Sequence, residues 1–294
     1  MRKKPMNRSK RQNLIGWSFL SLWAIGFLVF TMYPIFISFY YSLSHVTLDG
    51  AGIQVQFVWL DNYRQIFSSS EGFSFLQSVS DFAIEILFKV PIITVFAIII
   101  AVMLNQNIKG RSFFRAIYFL PVIIASGPVI NQLINQGAAT IPIVEQMGIV
   151  SFINSTFTEA LARPIANIFS ELIVILWFSG VQILLFIAAL QKIDRSTYEA
   201  AMIDGAGPWE SFWKITIPAL SSMVLVSVVF TIINLATFSE NAAIMHIKNN
   251  MFALDTGFGF SSAIAWLYFV ALAIILFIAA LILGTFSKKR GRHS

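Results

Sequence analysis

Long apolar runs alternate with short polar punctuation along this chain. Crossing a bilayer takes roughly 20 consecutive apolar residues. Runs of that kind fall at Leu14–Tyr41, Phe82–Leu104, Phe113–Leu133, Leu172–Leu190, Ala219–Phe238 and Ala263–Phe286. They predict an all-α polytopic membrane protein with six transmembrane helices over residues 14–290, preceded by a basic segment at 1–13. The first run is too long and too aromatic for a cleaved signal peptide, and Tyr33-Pro34 offers no small-residue cleavage site. The third run contains Pro121 and Ser126-Gly127-Pro128, which predict a kink or an unwound turn. Such backbone is tolerated at membrane depth only inside protein or along a cavity. The fourth run carries Trp177, Ser179, Gly180 and Gln182, and the fifth Thr231, Asn234 and Thr237. Polar positions of this kind either bond helices together or line a path. In the second run Glu85 and Lys89 share a helix face, as a self-neutralising pair or as a proton relay.

Composition agrees with a membrane chain: 57% of residues are hydrophobic and 12% charged, and Phe occurs 29 times. A soluble fold could not cover that much apolar surface. The absence of cysteine excludes disulfides, thiolate metal sites and Cys nucleophiles. His45, His246 and His293 are scattered and form no metal-ligand spacing. The net charge of +6 raises nucleic acid as a partner, but the basic residues sit at membrane flanks, so none is expected. Of the 20 Lys and Arg, all except Arg64, Lys89, Arg163 and Lys248 fall in the tail at 2–11, at 109–115, at 192–214 and at 288–292. Positive flanks stay in the cytosol, which places both termini there. The segments facing outward carry Asp49, Asp61, Glu71, Glu145, Glu159 and Asp255. Residues 134–171 form a long external loop on this reading. There is no G-x-x-x-x-G-K-[ST] loop, no HExxH, no GxSxG and no pair of membrane aspartates. The chain is therefore expected to be no enzyme. A pump built on it would draw on an ion gradient or on a separate ATPase.

The most patterned polar stretch is the cytosolic loop 192–218. Ser196 and Glu199 have the spacing of a capping box. Gly205 and Gly207 are placed to end that helix. Pro208 suits the first turn of a second helix over Trp209–Ile217, and Pro218 then opens the fifth run. Ala200, Ala201, Gly205 and Ala206 permit close backbone approach, Phe212 and Trp213 offer knobs, and Glu199 and Asp204 offer charge. A helix resting on anionic headgroups wants a basic polar face. Here Asp194, Glu199, Asp204 and Glu210 oppose Lys192, Arg195 and Lys214, so a protein partner is expected.

This loop resembles the EAA motif of membrane subunits in binding-protein-dependent ABC importers. That pattern is roughly E-A-A-x-x-D-G-A-x-x-x-x-x-F-x-x-I-x-x-P. It is met without gaps at Glu199, Ala200, Ala201, Asp204, Gly205, Ala206, Phe212, Ile215 and Pro218. The chain is more closely similar to the carbohydrate branch, the relatives of maltose and glycerol-phosphate permease subunits. Leu60-Asp61-Asn62-Tyr63, Arg111-Ser112-Phe113-Phe114-Arg115-Ala116 with Leu120-Pro121, and Ala188-Ala189-Leu190-Gln191-Lys192-Ile193 agree with it in order. Met245–Asn250 departs from the T-x-G-G-P-like turn that the family often carries after the fifth span.

The resemblance implies a type I ABC importer permease fold and a multi-pass subunit of a bacterial cytoplasmic membrane. The loop would be a coupling helix seated on an ATPase dimer, with the Glu199 position pairing with the ATPase. ATP and Mg would be held by that partner and no cofactor by this chain. A second homologous permease subunit and an extracellular or periplasmic solute-binding protein complete the implied assembly. The substrate would be a carbohydrate of oligosaccharide size, moved by alternating access. Alignment from the motif puts Thr231, Leu235 and Phe238 where related permeases line their sugar site, with Trp177, Gly180 and Gln182 nearby. Asn234 joins them on chemical grounds, since sugar sites combine an aromatic platform with amide and hydroxyl groups. The alternatives are an importer permease for a solute such as glycerol-phosphate, an ion-coupled secondary transporter, which would need inverted repeats not visible here, and a non-transporting scaffold.

Overall fold

A computed structural model describes residues 8–49, 52–106, 149–158, 172–253 and 256–290. The helices are α1 (Arg8–Phe27), α2 (Tyr33–Ser42), α3 (Asp61–Ile66), α4 (Ser70–Asn105), α5 (Ile149–Thr156), α6 (Leu172–Leu190), α7 (Arg195–Ile203), α8 (Pro208–Ser211), α9 (Ile217–Ala236), α10 (Ala242–Met251) and α11 (Gly257–Arg290). A hairpin of β1 (Ser44–Asp49) and β2 (Gly52–Phe57), which the apolar runs do not announce, stands between α2 and α3. Among the described residues, 4 helices are long and apolar enough to cross a membrane: Gly16–Ser42, Ser70–Asn105, Pro208–Ala236 and Gly257–Gly284. There are 5 if α6 and α7, bent by 67°, are taken as one broken span. The expected third run, Phe113–Leu133 with Pro121 and Ser126-Gly127-Pro128, lies outside the described residues, as does most of 134–171.

α4 carries Pro91 within a helix that stays α-helical throughout, and two further rods, at Pro34 and Pro218, contain a proline that ought to break them. Proline lacks the N–H for an i→i−4 bond, and its ring crowds the carbonyl one turn back. Both rods respond in the same way. Leu28–Met32 widens so that Tyr33 N–H donates to Leu28 O, just before Pro34. Phe212–Thr216 widens so that Ile217 N–H donates to Phe212 O, just before Pro218. One i→i+5 turn absorbs each proline without ending the helix.

The described residues divide into two compact units. In the first, drawn from Met1–Phe75 and His246–Tyr268, the hairpin is registered on the end of α2. Buried Asn62 donates from Nδ2 to Ser42 O at 3.0 Å and to Ser44 O at 2.9 Å, and Tyr63 Oη donates to Ser42 Oγ at 3.0 Å. The Leu60–Tyr63 motif is thus a clamp on the chain leaving α2. β1 then lies against the start of α11. A Cβ on Gly259 would stand 2.1 Å from Ser44 O, and one on Gly257 (φ +65°) would stand 2.6 Å from Val46 O. Only glycine allows this approach.

The second unit is drawn from Leu76–Met245 and Phe269–Ser294. Its core joins α4, α6 and α9. Ala97 and Ala101 of α4, Ile183 and Phe186 of α6, and Leu220 of α9 are all fully buried. Small residues on one face let helix backbones approach closely, which matters where lipid tails supply no hydrophobic drive. Leu87, Val95, Ile99 and Met103 lie on the exposed side of α4. Lys89, buried, and Glu85, half-buried, form the expected ion pair on α4.

The contact between α11 and β1 is testable. Overpacking typically costs about 1–3 kcal/mol. Gly259→Ala is therefore expected to lower the thermal midpoint of the detergent-solubilised protein by several degrees. Gly284→Ala, where an added Cβ meets nothing within 4 Å, is expected to leave it in place.

Candidate functional site

The loop after α6 folds into a closed pair of helices. Asp194 (φ −63°, ψ 134°) caps α7, and its Oδ1 accepts from Ser196 N–H at 3.0 Å. The capping box expected from Ser196 and Glu199 does not form. The helix begins two residues earlier than that pairing requires, because aspartate caps as well as serine. Glu199 instead pairs with Arg195, with Nε to Oε1 at 3.2 Å and both side chains exposed. Hydrogen bonds from the Ser196 backbone N–H and then its hydroxyl hold the Asp194 carboxyl below the usual aspartate range.

The helix ends in a Schellman pair: Gly205 N–H donates to Met202 O at 3.1 Å and Ala206 N–H to Ala201 O at 2.9 Å. Gly205 sits at φ +85°, as that motif requires. Gly207 was expected to help end this helix. It is instead extended (φ −73°, ψ 170°) and serves as the cap of α8, with Pro208 in the first turn. The expected break at Pro218 is also absent. Because of the i→i+5 turn, helix runs without interruption from Pro208 to Ala236. The second loop helix is therefore the first part of the fifth rod.

Tyr198 Oη and Thr216 Oγ1, 2.9 Å apart, tie α7 to this rod. Phe212 packs half-buried against the α4–α6–α9 core rather than projecting as a knob. Glu199, Ala200, Asp204 and Gly205 are exposed, and Ala201, Ala206, Ile215 and Pro218 are half-buried. Beside them lies an apolar surface made by Met202, Ile203, Trp209 and Trp213, all exposed. Trp209 sits 5.6 Å from Trp213 and 6.3 Å from Phe212, ring centre to ring centre. Of these apolar residues only Trp213 was expected from the sequence to offer a contact knob.

The second candidate site lies between α6 and α9. Buried Gln182 donates from Nε2 to Thr231 Oγ1 at 2.8 Å, and Thr231 Oγ1 donates to Ser227 O at 2.7 Å. Gln182 Oε1 and Ser227 Oγ are buried with no hydrogen-bond partner among the described residues. Phe238 meets Phe178 edge to face at 5.2 Å. Gly180 and Leu235 are buried, and Trp177 and Asn234 half-buried. Ser227 and Phe178 were not among the expected residues, although Ser227 precedes Thr231 by one turn on the same face. Among the described residues no His, Cys, Asp or Glu group is arranged to hold a metal ion.

No family model matches the chain. The probable ABC transporter permease protein YesP of Bacillus subtilis is 27% identical over 290 residues, covering 94% of this chain and 92% of YesP. The multiple sugar-binding transport system permease protein MsmF of Streptococcus mutans is 28% identical over 277 residues, covering 88% of this chain and 92% of MsmF. Among solved structures, a bacterial alginate ABC transporter in complex with an alginate pentasaccharide-bound periplasmic protein matches with a TM-score of 0.64 at 17% identity, over 97% of this chain and 99% of the matched chain. The chain thus has the fold of an ABC importer permease and resembles sugar ABC transporter permeases along nearly its whole length.

The caps of α7 give a pH test. The folded-state pKa of Asp194 lies below its unfolded value, so its stabilisation is complete above the ordinary aspartate pKa. It is lost as pH falls through the lowered one. Amide protection across 196–203, taken relative to the intrinsic exchange rate at each pH, is expected to fall over that acid window. Asp194→Ala should exchange faster at neutral pH and lose the acid dependence. Gly205→Ala forces a Cβ into the left-handed region, at about 1 kcal/mol, and should lower that protection roughly fivefold at every pH while keeping the acid dependence that Asp194 confers.

Proposed function

We propose that this chain is a membrane-spanning permease subunit of an ATP-driven importer in a bacterial cytoplasmic membrane. It moves a carbohydrate, of oligosaccharide size, by alternating access. A separate ATPase dimer, which holds ATP and Mg, drives it through the 192–218 loop. The supporting observation is the unbroken helix Pro208–Ala236. One end of it is bonded to α7 through Thr216, and the other carries Thr231. At 1.5 Å per residue, Thr231 lies about 22 Å along the helix from Thr216. Displacement of the loop therefore moves Thr231 against Gln182 directly. A flexible joint at Pro218 would absorb the same push.

Glu199 supports docking because its partner Arg195 makes only an exposed ion pair. Such pairs typically contribute about 0.3–0.5 kcal/mol between positions i and i+4. Its carboxylate is free to exchange Arg195 for a cation of the ATPase. Ala200, Ala201, Gly205 and Ala206 leave room for that approach, and Met202, Ile203 and Trp209 supply apolar area.

At the substrate path, Gln182 Oε1 and Ser227 Oγ retain hydrogen-bonding capacity that sugar hydroxyls can use. Phe238 and Trp177 supply ring faces, and Asn234 an amide. Because the chain carries one such loop and an ATPase dimer offers two clefts, a second homologous permease subunit completes the pathway. A solute-binding protein delivers the sugar on the face opposite the loop. The basic flanks place both termini in the cytosol.

The test separates engine from cargo. Glu199→Lys and Gly205→Asp are expected to abolish ATPase co-purification and ATP-driven sugar uptake in proteoliposomes. Gln182→Leu and Thr231→Val should leave the complex intact while lowering uptake roughly five- to tenfold, as the loss of about 1 kcal/mol of hydrogen bonding implies. Ion-driven uptake by the chain alone, with no ATPase, would overturn the proposal.

A further inference from the structure

The hairpin after α2 has two unlike faces. Along β2, Ile53, Val55 and Phe57 alternate with Gln54 and Gln56. The register pairs Ile53 with Leu48, Val55 with Val46 and Phe57 with Ser44. Directly opposed residues of an antiparallel pair share a face, so Ser44 and Val46 with Ile53, Val55 and Phe57 form one side of the ribbon. On the β1 half of that side Val46 and Ser44 are buried. On the β2 half Ile53, Val55 and Phe57 overhang, 58%, 39% and 45% exposed. The other side carries His45 and Thr47 with Gln56 and Gln54. A ribbon in open water would have no reason to keep its overhanging side apolar.

The overhang continues into the surface of the first rod. Phe57 stacks on Tyr40 of α2 at 6.2 Å and 17°, and Trp59 meets Phe57 edge to face at 5.3 Å. Phe36, Phe39 and Tyr40 of α2 are exposed, and none of the most apolar window of Gly16–Ser42 is buried in the chain. Trp59 holds φ at +54°, a conformation that bulky residues avoid, and so turns the chain back from β2 into α3. The Asn62 clamp on Ser42 and Ser44 fixes the height of the ribbon relative to the end of the rod.

We propose that the β1–β2 ribbon is a membrane-surface anchor, its Ile53–Val55–Phe57 side lying on lipid at the headgroup boundary where the first rod leaves the bilayer. Three observations select lipid as the occupant: the patch is continuous with an apolar membrane rod, its reverse side is polar, and it ends in Tyr and Trp. Tyr and Trp favour the interfacial layer, where an apolar ring body and a polar tip are both accommodated. Interfacial apolar surfaces sit about 5–10 Å into that layer. The outer edge of β2 has no strand partner among the described residues. The hydrated headgroups satisfy its backbone groups, as hydrocarbon would not. The anchor does not depend on what the protein transports.

The chain has no cysteine, so single labels are unambiguous. Ile53→Cys, Gln54→Cys, Val55→Cys and Gln56→Cys would each carry a nitroxide, in the full chain reconstituted with its associated subunits in lipid nanodiscs. Collision with oxygen, which concentrates in lipid, is compared with collision with a nickel chelate, which stays in water. The expected result is alternation: the oxygen-to-nickel ratio several-fold higher at 53 and 55 than at 54 and 56. Equal nickel access at all four positions would place the ribbon in water and overturn the anchor. Shielding of 53 and 55 from both reagents would mean that protein covers the patch, and would overturn it equally.

Discussion

A backbone amide or carbonyl left unpaired in hydrocarbon costs several kcal/mol, and most of this architecture follows from avoiding that. The rods must stay helical through their full membrane depth, including where the sequence places proline. Pro34 and Pro218 would each free a carbonyl and force a kink. The i→i+5 turns at Leu28–Met32 and Phe212–Thr216 spread the disturbance over one wide turn and keep the axis continuous. At Pro218 the continuity joins a water-exposed loop to a membrane rod. Closure of α7 onto that rod through Tyr198 and Thr216 then makes one stiff body from what would otherwise be a hinge.

The same constraint bears on the polar groups between α6 and α9. A buried glutamine in a membrane core needs partners for its amide nitrogen and its carbonyl oxygen. Thr231 supplies one of them. The remaining acceptor on Gln182 and the hydroxyl of Ser227 form a polar contact that is half satisfied. A fully satisfied pair would act as simple adhesion between helices. A half-satisfied one keeps its geometry while retaining affinity for a further hydroxyl.

What the sequence made legible divides along physical lines. Membrane rods were readable because length and apolarity are one-dimensional properties. The loop was readable because its small residues, glycine and acidic groups recur at fixed intervals. The start of α7 was misplaced because Asp194 and Ser196 are equally good caps, and only the chain path decides between them. The role of Gly207 was misassigned for a related reason: Gly205 already supplies the left-handed residue, and one is enough. Continuity through Pro218 was not readable, since proline ordinarily signals a boundary and nothing local announces an i→i+5 turn. The inward turn of Phe212 follows from that same widened turn. The hairpin was passed over between two stronger signals, although Ile53-Gln54-Val55-Gln56-Phe57 carries the alternation of a half-exposed strand.

The widened turn at Phe212–Thr216 also sets an angle. Each residue of an α-helix rotates the chain by about 100°, so one extra residue in a turn offsets everything before it by about that amount relative to everything after. The compass bearing of Glu199 and its neighbours relative to Thr231 is therefore fixed by residue count as much as by residue type. Grafting a related loop that lacks the extra residue would leave every side chain correct and the whole surface of α7 pointing the wrong way around the rod.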